Sequence, residues 1–316
     1  LIVEPSQKNG GLWDVEVERR RLLGLAYRML GTISDAEDAV QEAFLRWYRL
    51  DEAERATVTN PAGWFTRVAS RICLDVLGSA RARREKYVGE WLPEPLPSGY
   101  LPAARKTPDF GSDREGDPLG RVTLDESVST ALLVVLETMT PAERVAFVLH
   151  DIFAFSFEEI GNIVGRSPAA ARKLASSARR RIGSERHKPV DRQEHARVLN
   201  AFGNACRRGD LQALTGLLDP AVVLRSDGGG VVRAAINPIT GPSKVGRFIL
   251  GVLKKQAGVH VQTITTVEGP ALALMHHTAV TGIVNVSVDG GCVLRIWIQW
   301  NPEKLSSWPR QTTGTS

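Results

Sequence analysis

Three groups of side chains are spaced so that they could do chemistry. Trp64, Arg67 and Arg71 recur at helical spacing, and the basic run Arg81, Arg83, Arg84 and Lys86 follows. An indole ring can stack on an unstacked base while guanidinium groups hold phosphates, which suits a single strand of nucleic acid. The same pattern also fits a partly buried aromatic pair, Trp64 and Phe65, beside solvated arginines. Further along, eight basic side chains stand against Glu185 between Arg166 and Lys188. Within that run Arg172, Lys173, Ser176 and Arg180 lie opposite an apolar stripe of Ala171, Leu174, Ala175 and Ala178. From there they could reach base edges or phosphates in a major groove. The third group is acidic: Asp35, Asp38 and Glu42 form a strip on a helix whose other face carries Val40, Ala43, Phe44 and Trp47.

Other chemistries have less behind them. Cys73, Cys206 and Cys292 are odd in number, far apart and not in metal-ligand spacing, so small core residues are expected and neither a disulfide framework, a metal site nor a cofactor. His260, His276 and His277 could supply a base, but lone histidines in strands are more often structural or exposed, and an enzyme is not expected. The net charge of +5 and a pI near 9.3 permit nucleic-acid binding without requiring it. Residues 1–190 hold 27 acidic and 27 basic side chains, so it is the sorting of charge along this part, rather than its excess, that points to nucleic acid. A charged fraction of 24% and a hydrophobic fraction of 43% are ordinary for a globular chain. No apolar run is long enough to span a bilayer and residues 1–13 lack the order of a secretory signal, so no membrane partner and a cytoplasmic protein are expected. The chain opens on Leu1, which fits an alternative start codon, a processed end or a truncated one.

The elements that must position these groups can be read from periodicity. A chain of 316 residues is expected to form two or three units. Residues 14–87 read as helical almost throughout, with Ser34 as N-cap of a helix from Asp35, a polar loop from Leu50 to Asn60, and a helix with Pro61 at its first position. Six prolines between Glu90 and Pro118 mark an extended linker. Helical periodicity resumes from Leu124 to Ile182. Phe155–Val164, a turn at Gly165-Arg166, and a helix capped by Ser167 with Pro168 in its first turn have the form of a helix-turn-helix. After a second linker, two short helices ending at Leu218 precede β-rich segments at 221–225, 259–267 and 293–300, a helix over 243–255, and a hairpin turn at Asp289-Gly290-Gly291.

The order acidic amphipathic helix, polar loop, aromatic and basic helix resembles the second conserved region of extracytoplasmic-function sigma factors, and the helix-turn-helix resembles their fourth. The resemblance implies a protein that binds core RNA polymerase, directs it to promoter DNA and starts transcription. By the same resemblance Asp35, Asp38, Gln41 and Glu42 match polymerase-docking positions. Asn60, Trp64, Arg67, Arg71, Arg81, Arg83 and Arg84 would capture and melt the −10 element. Arg166, Ser167, Arg172, Lys173, Ser176 and Arg180 would read the −35 element. Arg71 stands where many relatives carry asparagine, and Ser177 where many carry arginine.

The C-terminal pattern looks like the polyketide-cyclase-like (SnoaL-like) branch of the cone-shaped α+β fold related to nuclear transport factor 2. The linker stretch Trp91-Leu-Pro-Glu-Pro95 with Pro93 at its centre, the loop Asp227-Gly228-Gly229-Gly230 and the ending Asn301-Pro302-Glu-Lys304-Leu305 together resemble a subgroup of sigma factors with such a domain fused to them. Val231 and Glu303 depart from the subgroup's lysine and aspartate. The implied organisation is two all-α modules at 14–88 and 124–187, a Pro-rich linker at 89–123 and a regulatory cone domain at 194–305. The domain would contact the sigma modules intramolecularly, with room for an unidentified small ligand in the cone. The competing reading is a helix-turn-helix regulator with a ligand-sensing domain, which would have no use for polymerase.

Overall fold

The computed structural model describes residues 15–84, 87–101, 129–185, 191–256 and 258–308. Helices α1 (Val15–Leu30), α2 (Ile33–Arg49), α3 (Glu52–Thr57) and α4 (Pro61–Arg84) form the first module. The α2 helix buries Ile33, Ala36, Ala39, Val40, Ala43 and Phe44, a three- and four-residue recurrence that makes one apolar face. It starts two residues before Asp35, with Thr32 rather than Ser34 at the N-cap. The expected polar loop contains α3, held by a reciprocal capping box between Asp51 and Glu54.

The second module comprises α5 (Thr130–Glu137), α6 (Pro141–Phe147), a π-helical turn at Val148–Ile152, α7 (Phe157–Val164) and α8 (Pro168–Glu185). Capping boxes at Thr140/Glu143 and Ser156/Glu159 start α6 and α7, and Gly165 ends α7 in the left-handed conformation at φ 67°. Ala171, Ala175 and Ala178 are fully buried against α6 and α7, and Leu174 is half-buried beside them.

One hydrophobic core runs through both helical modules. It joins Leu22, Leu25 and Phe65 of the first to Leu133, Phe147 and Ile160 of the second, and takes in Leu96 and Leu101 of the linker. The linker is therefore partly a packed element: Leu92 to Leu96 are buried, and the Leu96 carbonyl and Ser98 amide bond to Val267 and Thr265.

The C-terminal domain places α9 (Arg192–Arg208), α10 (Leu211–Gly216) and α11 (Pro242–Lys255) beside a mixed sheet of β1 (Leu218–Asp227), β2 (Ile239–Thr240), β3 (Val259–Thr266), β4 (Gly269–His276), β5 (Ala279–Asp289) and β6 (Cys292–Gln299). Among the described residues the strand order is β2-β1-β6-β5-β4-β3, with β1 and β6 parallel and the other pairs antiparallel. Irregularities at Leu274/Met275 and Ser287/Val288 bend the sheet. Its α9/α11 side buries Phe202, Val245, Leu272 and Ile296. A separate small cluster, Ala271, Ile283, Leu305 and Trp308, attaches the C-terminal segment to the sheet. The expected mixed α+β cone is thus present behind two helical modules.

Candidate nucleic-acid interface

Along α4, Asn60, Trp64, Arg67 and Arg71 follow one another at three- and four-residue steps. Asn60 is exposed and its Oδ1 accepts the Gly63 amide at 2.9 Å, capping the helix. Trp64 is half-buried and packs edge-on against Trp47 and Phe65, each with centroids 5.1 Å away, so one side of its ring belongs to the core. Arg67 is exposed. Arg71 donates from Nη2 to the Asn162 carbonyl of α7 at 2.8 Å, which ties this face to the second module. Arg81, Arg83 and Arg84 lie on the last turns of α4, and their side chains fall outside the described residues, as does Lys86.

On α2, Asp38 and Gln41 are exposed, whereas Asp35 accepts the Thr32 hydroxyl at 2.7 Å and Glu42 pairs with Arg46 at 2.8 Å. Leu45 and Tyr48, 43% and 59% exposed, continue the strip beyond the residues singled out in the sequence.

All six residues chosen on the helix-turn-helix, Arg166, Ser167, Arg172, Lys173, Ser176 and Arg180, are exposed. Ser167 Oγ accepts the Ala170 amide at 3.3 Å. The Arg172 guanidinium lies 5.1 Å over the Phe157 ring, itself stacked on His150 at 4.0 Å. That contact restrains the side chain while leaving its edge in solvent. Ser177 donates to Glu143 at 2.7 Å and so serves the packing of α8 on α6.

The linker and the C-terminal domain meet in a buried polar network. Asp227, fully buried, accepts the Leu92 amide at 2.9 Å and the Lys304 ammonium at 2.7 Å on Oδ2. On Oδ1 it accepts the Tyr87 hydroxyl at 2.5 Å and the Gly229 amide at 2.9 Å. Desolvation, then the bond to Asp227, pushes the Tyr87 pKa up. Lys304 also donates to the Leu92 carbonyl and lies 3.9 Å over the Trp91 ring. Gln299 donates to the Leu92 and Pro93 carbonyls, each at 3.3 Å. Asn301 donates to Tyr87 at 3.1 Å, and Pro302 opens a 3-10 turn at Pro302–Leu305 that presents Lys304. The glycine loop has a steric reason: a Cβ on Gly228 would sit 2.0 Å from the Val232 carbonyl, and one on Gly229 2.5 Å from Asn301. Gly230 lies beside Val88 at the outer end of the same loop. Trp91, Pro93, Asp227, Asn301 and Lys304 are thus brought together, and Tyr87 and Gln299, which no sequence motif marks, complete the set.

A second junction joins the sheet to α5. Glu268, in the β3–β4 turn, accepts the Thr130 amide at 2.7 Å and its hydroxyl at 2.6 Å, and Asn285 donates to the same hydroxyl at 2.7 Å. Nothing local in the sequence marks these three.

The cone itself is lined by Phe202, Phe248, Val261, Leu272, Val284 and Trp300 among other apolar side chains, and leaves a gap of about 20 Å³, on the scale of one water. His260, His276 and His277 do not line it; the last two pack edge-on with each other at the β4–β5 turn. Cys206 lines the gap, and burial pushes its thiol up to about 12, away from thiolate chemistry. No helix among the described residues is long and apolar enough to cross a membrane, and they hold no cluster of three or more side chains able to bind a metal ion.

Comparison with known proteins gives the arrangement a family. Residues 15–84 match Sigma-70 region 2, and residues 129–182 match Sigma-70, region 4. The chain is 36% identical over 314 residues to the ECF RNA polymerase sigma factor SigJ of Mycobacterium tuberculosis, covering 94% of this chain and 93% of that one. It is also 36% identical over 289 residues to the probable ECF RNA polymerase sigma factor SigI of the same species, covering 91% and 92%. The crystal structure of M. tuberculosis SigJ superposes with a TM-score of 0.69 at 33% identity, over 94% of this chain and 98% of that chain. Both regions, in order, and near-complete coverage by these relatives place the chain in the extracytoplasmic-function family of RNA polymerase sigma factors.

Proposed function

We propose that this sigma factor docks on core RNA polymerase through the α2 strip of Asp35, Asp38, Gln41 and Glu42. In this reading the α4 face engages the −10 element, and α8 reads the −35 element with Arg166, Ser167, Arg172, Lys173, Ser176 and Arg180. The observation that carries the reading is that Asp38 and Gln41 on α2, the turn residues Arg166 and Ser167, and Arg172, Lys173, Ser176 and Arg180 on α8 are all exposed, while the opposite faces of both helices are buried in one core. Arg71 is engaged with Asn162, so the −10 face must part from α7 before it meets DNA, and the described state is the resting one. The C-terminal domain controls that step through its hold on the linker at Asp227 and Lys304.

Transcription by core polymerase from a matched promoter, with and without the chain, tests the whole. The parent supports initiation. Asp38→Lys loses core binding while keeping duplex affinity. Arg172→Ala keeps core binding and flattens the salt dependence of duplex binding by about one unit, if it contacts a phosphate. Core binding by the Asp38→Lys chain equal to that of the parent would remove α2 from the docking role.

A further inference from the structure

The helix that carries the acidic strip does not cap its own start. Its N-cap residue, Thr32, makes no side-chain bond to a first-turn amide and donates its hydroxyl to Asp35 instead. The amide of Ile33 is met by Glu94 Oε2 at 2.8 Å, from a residue 61 positions further along the chain. A carboxylate placed there satisfies an otherwise orphan N–H and opposes the positive end of the helix dipole.

Glu94 is also fixed to the same corner by its main chain. Its amide donates to the Gly31 carbonyl at 2.9 Å, and its carbonyl accepts the Tyr27 hydroxyl at 2.6 Å. Gly31 is shaped for this approach: a Cβ there would lie 2.8 Å from the Trp91 ring. On its other side the Glu94 carboxylate accepts the Ser307 hydroxyl at 3.0 Å, and next door Trp308 Nε1 donates to the Pro95 carbonyl at 2.7 Å. One carboxylate, on a residue only 3% exposed, thus touches α2 with one oxygen and the C-terminal tail with the other. Burial pushes its pKa up, and the bonds from Ile33 and Ser307 and the charge of Lys304 pull it back.

We infer that Glu94 is a positioning residue for polymerase docking, fixing the first turn of α2, and with it Asp35 and Asp38, in register with the C-terminal tail. This rests on the docking role proposed for α2. It goes further by assigning the register of the docking strip to a linker residue outside both sigma regions and to a tail serine beyond the sheet.

The test uses the full chain and reads three quantities: hydrogen exchange at the Ile33 amide, affinity for core polymerase, and affinity for duplex promoter DNA. Glu94→Ala is expected to speed exchange at Ile33 and weaken core binding, each by about tenfold, with duplex affinity kept. Glu94→Gln, whose amide oxygen still accepts from Ile33, recovers both to within about threefold of the parent. Ser307→Ala speeds the same exchange by roughly threefold, because the carboxylate loses its second anchor. Core binding by Glu94→Ala at or above the parent level overturns the inference, and so does a joint loss of core and duplex binding, which would mark general unfolding. Asp38→Lys separates the layers: if it loses core binding while Glu94→Ala does not, docking by α2 stands and the role of Glu94 falls. If Asp38→Lys binds as the parent does, the docking role itself fails.

Discussion

Glu268 sits where the sheet meets the second sigma region, its carboxylate enclosed by Thr130 and Asn285 although the residue as a whole keeps some surface in solvent. Desolvation raises its pKa, outweighing the bonds from Thr130 and Asn285 that lower it. A carboxyl whose folded pKa lies above its unfolded value contributes stability that is full below the unfolded value and is lost as pH rises through the folded one. Glu268→Gln, neutral at every pH, should therefore gain on the parent in thermal midpoint as pH is raised from about 4, just below the ordinary carboxylate range, to neutrality. A gap that widened on acidification instead would show the ionised form to be the favoured one. None of the three residues at this junction is legible in the sequence, because each is an ordinary strand, turn or helix residue until the fold brings positions 130, 268 and 285 together. Asp227 and Lys304 were legible one by one, through the motifs around them. Their pairing across 77 positions, and the parts played by Tyr87 and Gln299, were not. The misplaced cap of α2 has the same origin: Ser34 has the chemistry of an N-cap, but a carboxylate from the linker meets the first amide of a helix that begins two residues earlier than that cap would set.

At the scale of elements, helices carrying apolar stripes and polar start signals were readable, including Pro61 and Pro168 in first turns and Gly165 as terminator. The β4 and β5 strands were not. Ala271 to Leu274 and Gly282 to Val286 are buried without a break, so the alternation that announces a half-exposed strand is missing. The α3 helix carries no apolar periodicity for the opposite reason, since it buries nothing and stands on its capping box. The helix-turn-helix corner depends on close backbone approach. A Cβ on Gly161 would fall 2.6 Å from the Arg166 carbonyl, a backbone atom that cannot swing aside as a side chain would. Gly161→Ala should therefore force α7 and α8 apart at the turn, costing roughly 1 to 3 kcal/mol in stability and about tenfold or more in duplex affinity, while core binding is kept. Calorimetry and DNA titration on the one variant check both, and an unchanged melting point with normal duplex binding would mean that the corner yields freely.

Across the whole molecule, the two sigma regions share one core, and the C-terminal domain holds both the linker and the start of α5. Asp227 and Lys304, with Glu94 and Ser307, hold the linker near α2, and Glu268 holds the start of α5. These grips can be released one at a time. Trimming after Trp300 removes Lys304, Ser307 and Trp308, leaving Asp227 buried without its counter-charge, a loss of roughly 3 to 5 kcal/mol, while Glu268 still holds α5. Deletion after His187 removes the sheet as well, so the Leu96 carbonyl loses the Val267 amide and the Thr130 amide its acceptor. The first change loosens the linker while Asp227, Gln299 and the sheet edge still bond to it; the second frees both the linker and α5 and leaves only the shared core to hold the regions together. Transcription from one promoter by core polymerase should then settle at three different levels for the full chain, the trimmed chain and the deletion. Labels on exposed Arg49 and Glu158 should report a step in inter-region distance at each stage. Equal output from all three forms, with unchanged distances, would mean that the C-terminal domain rides on the sigma regions without governing them.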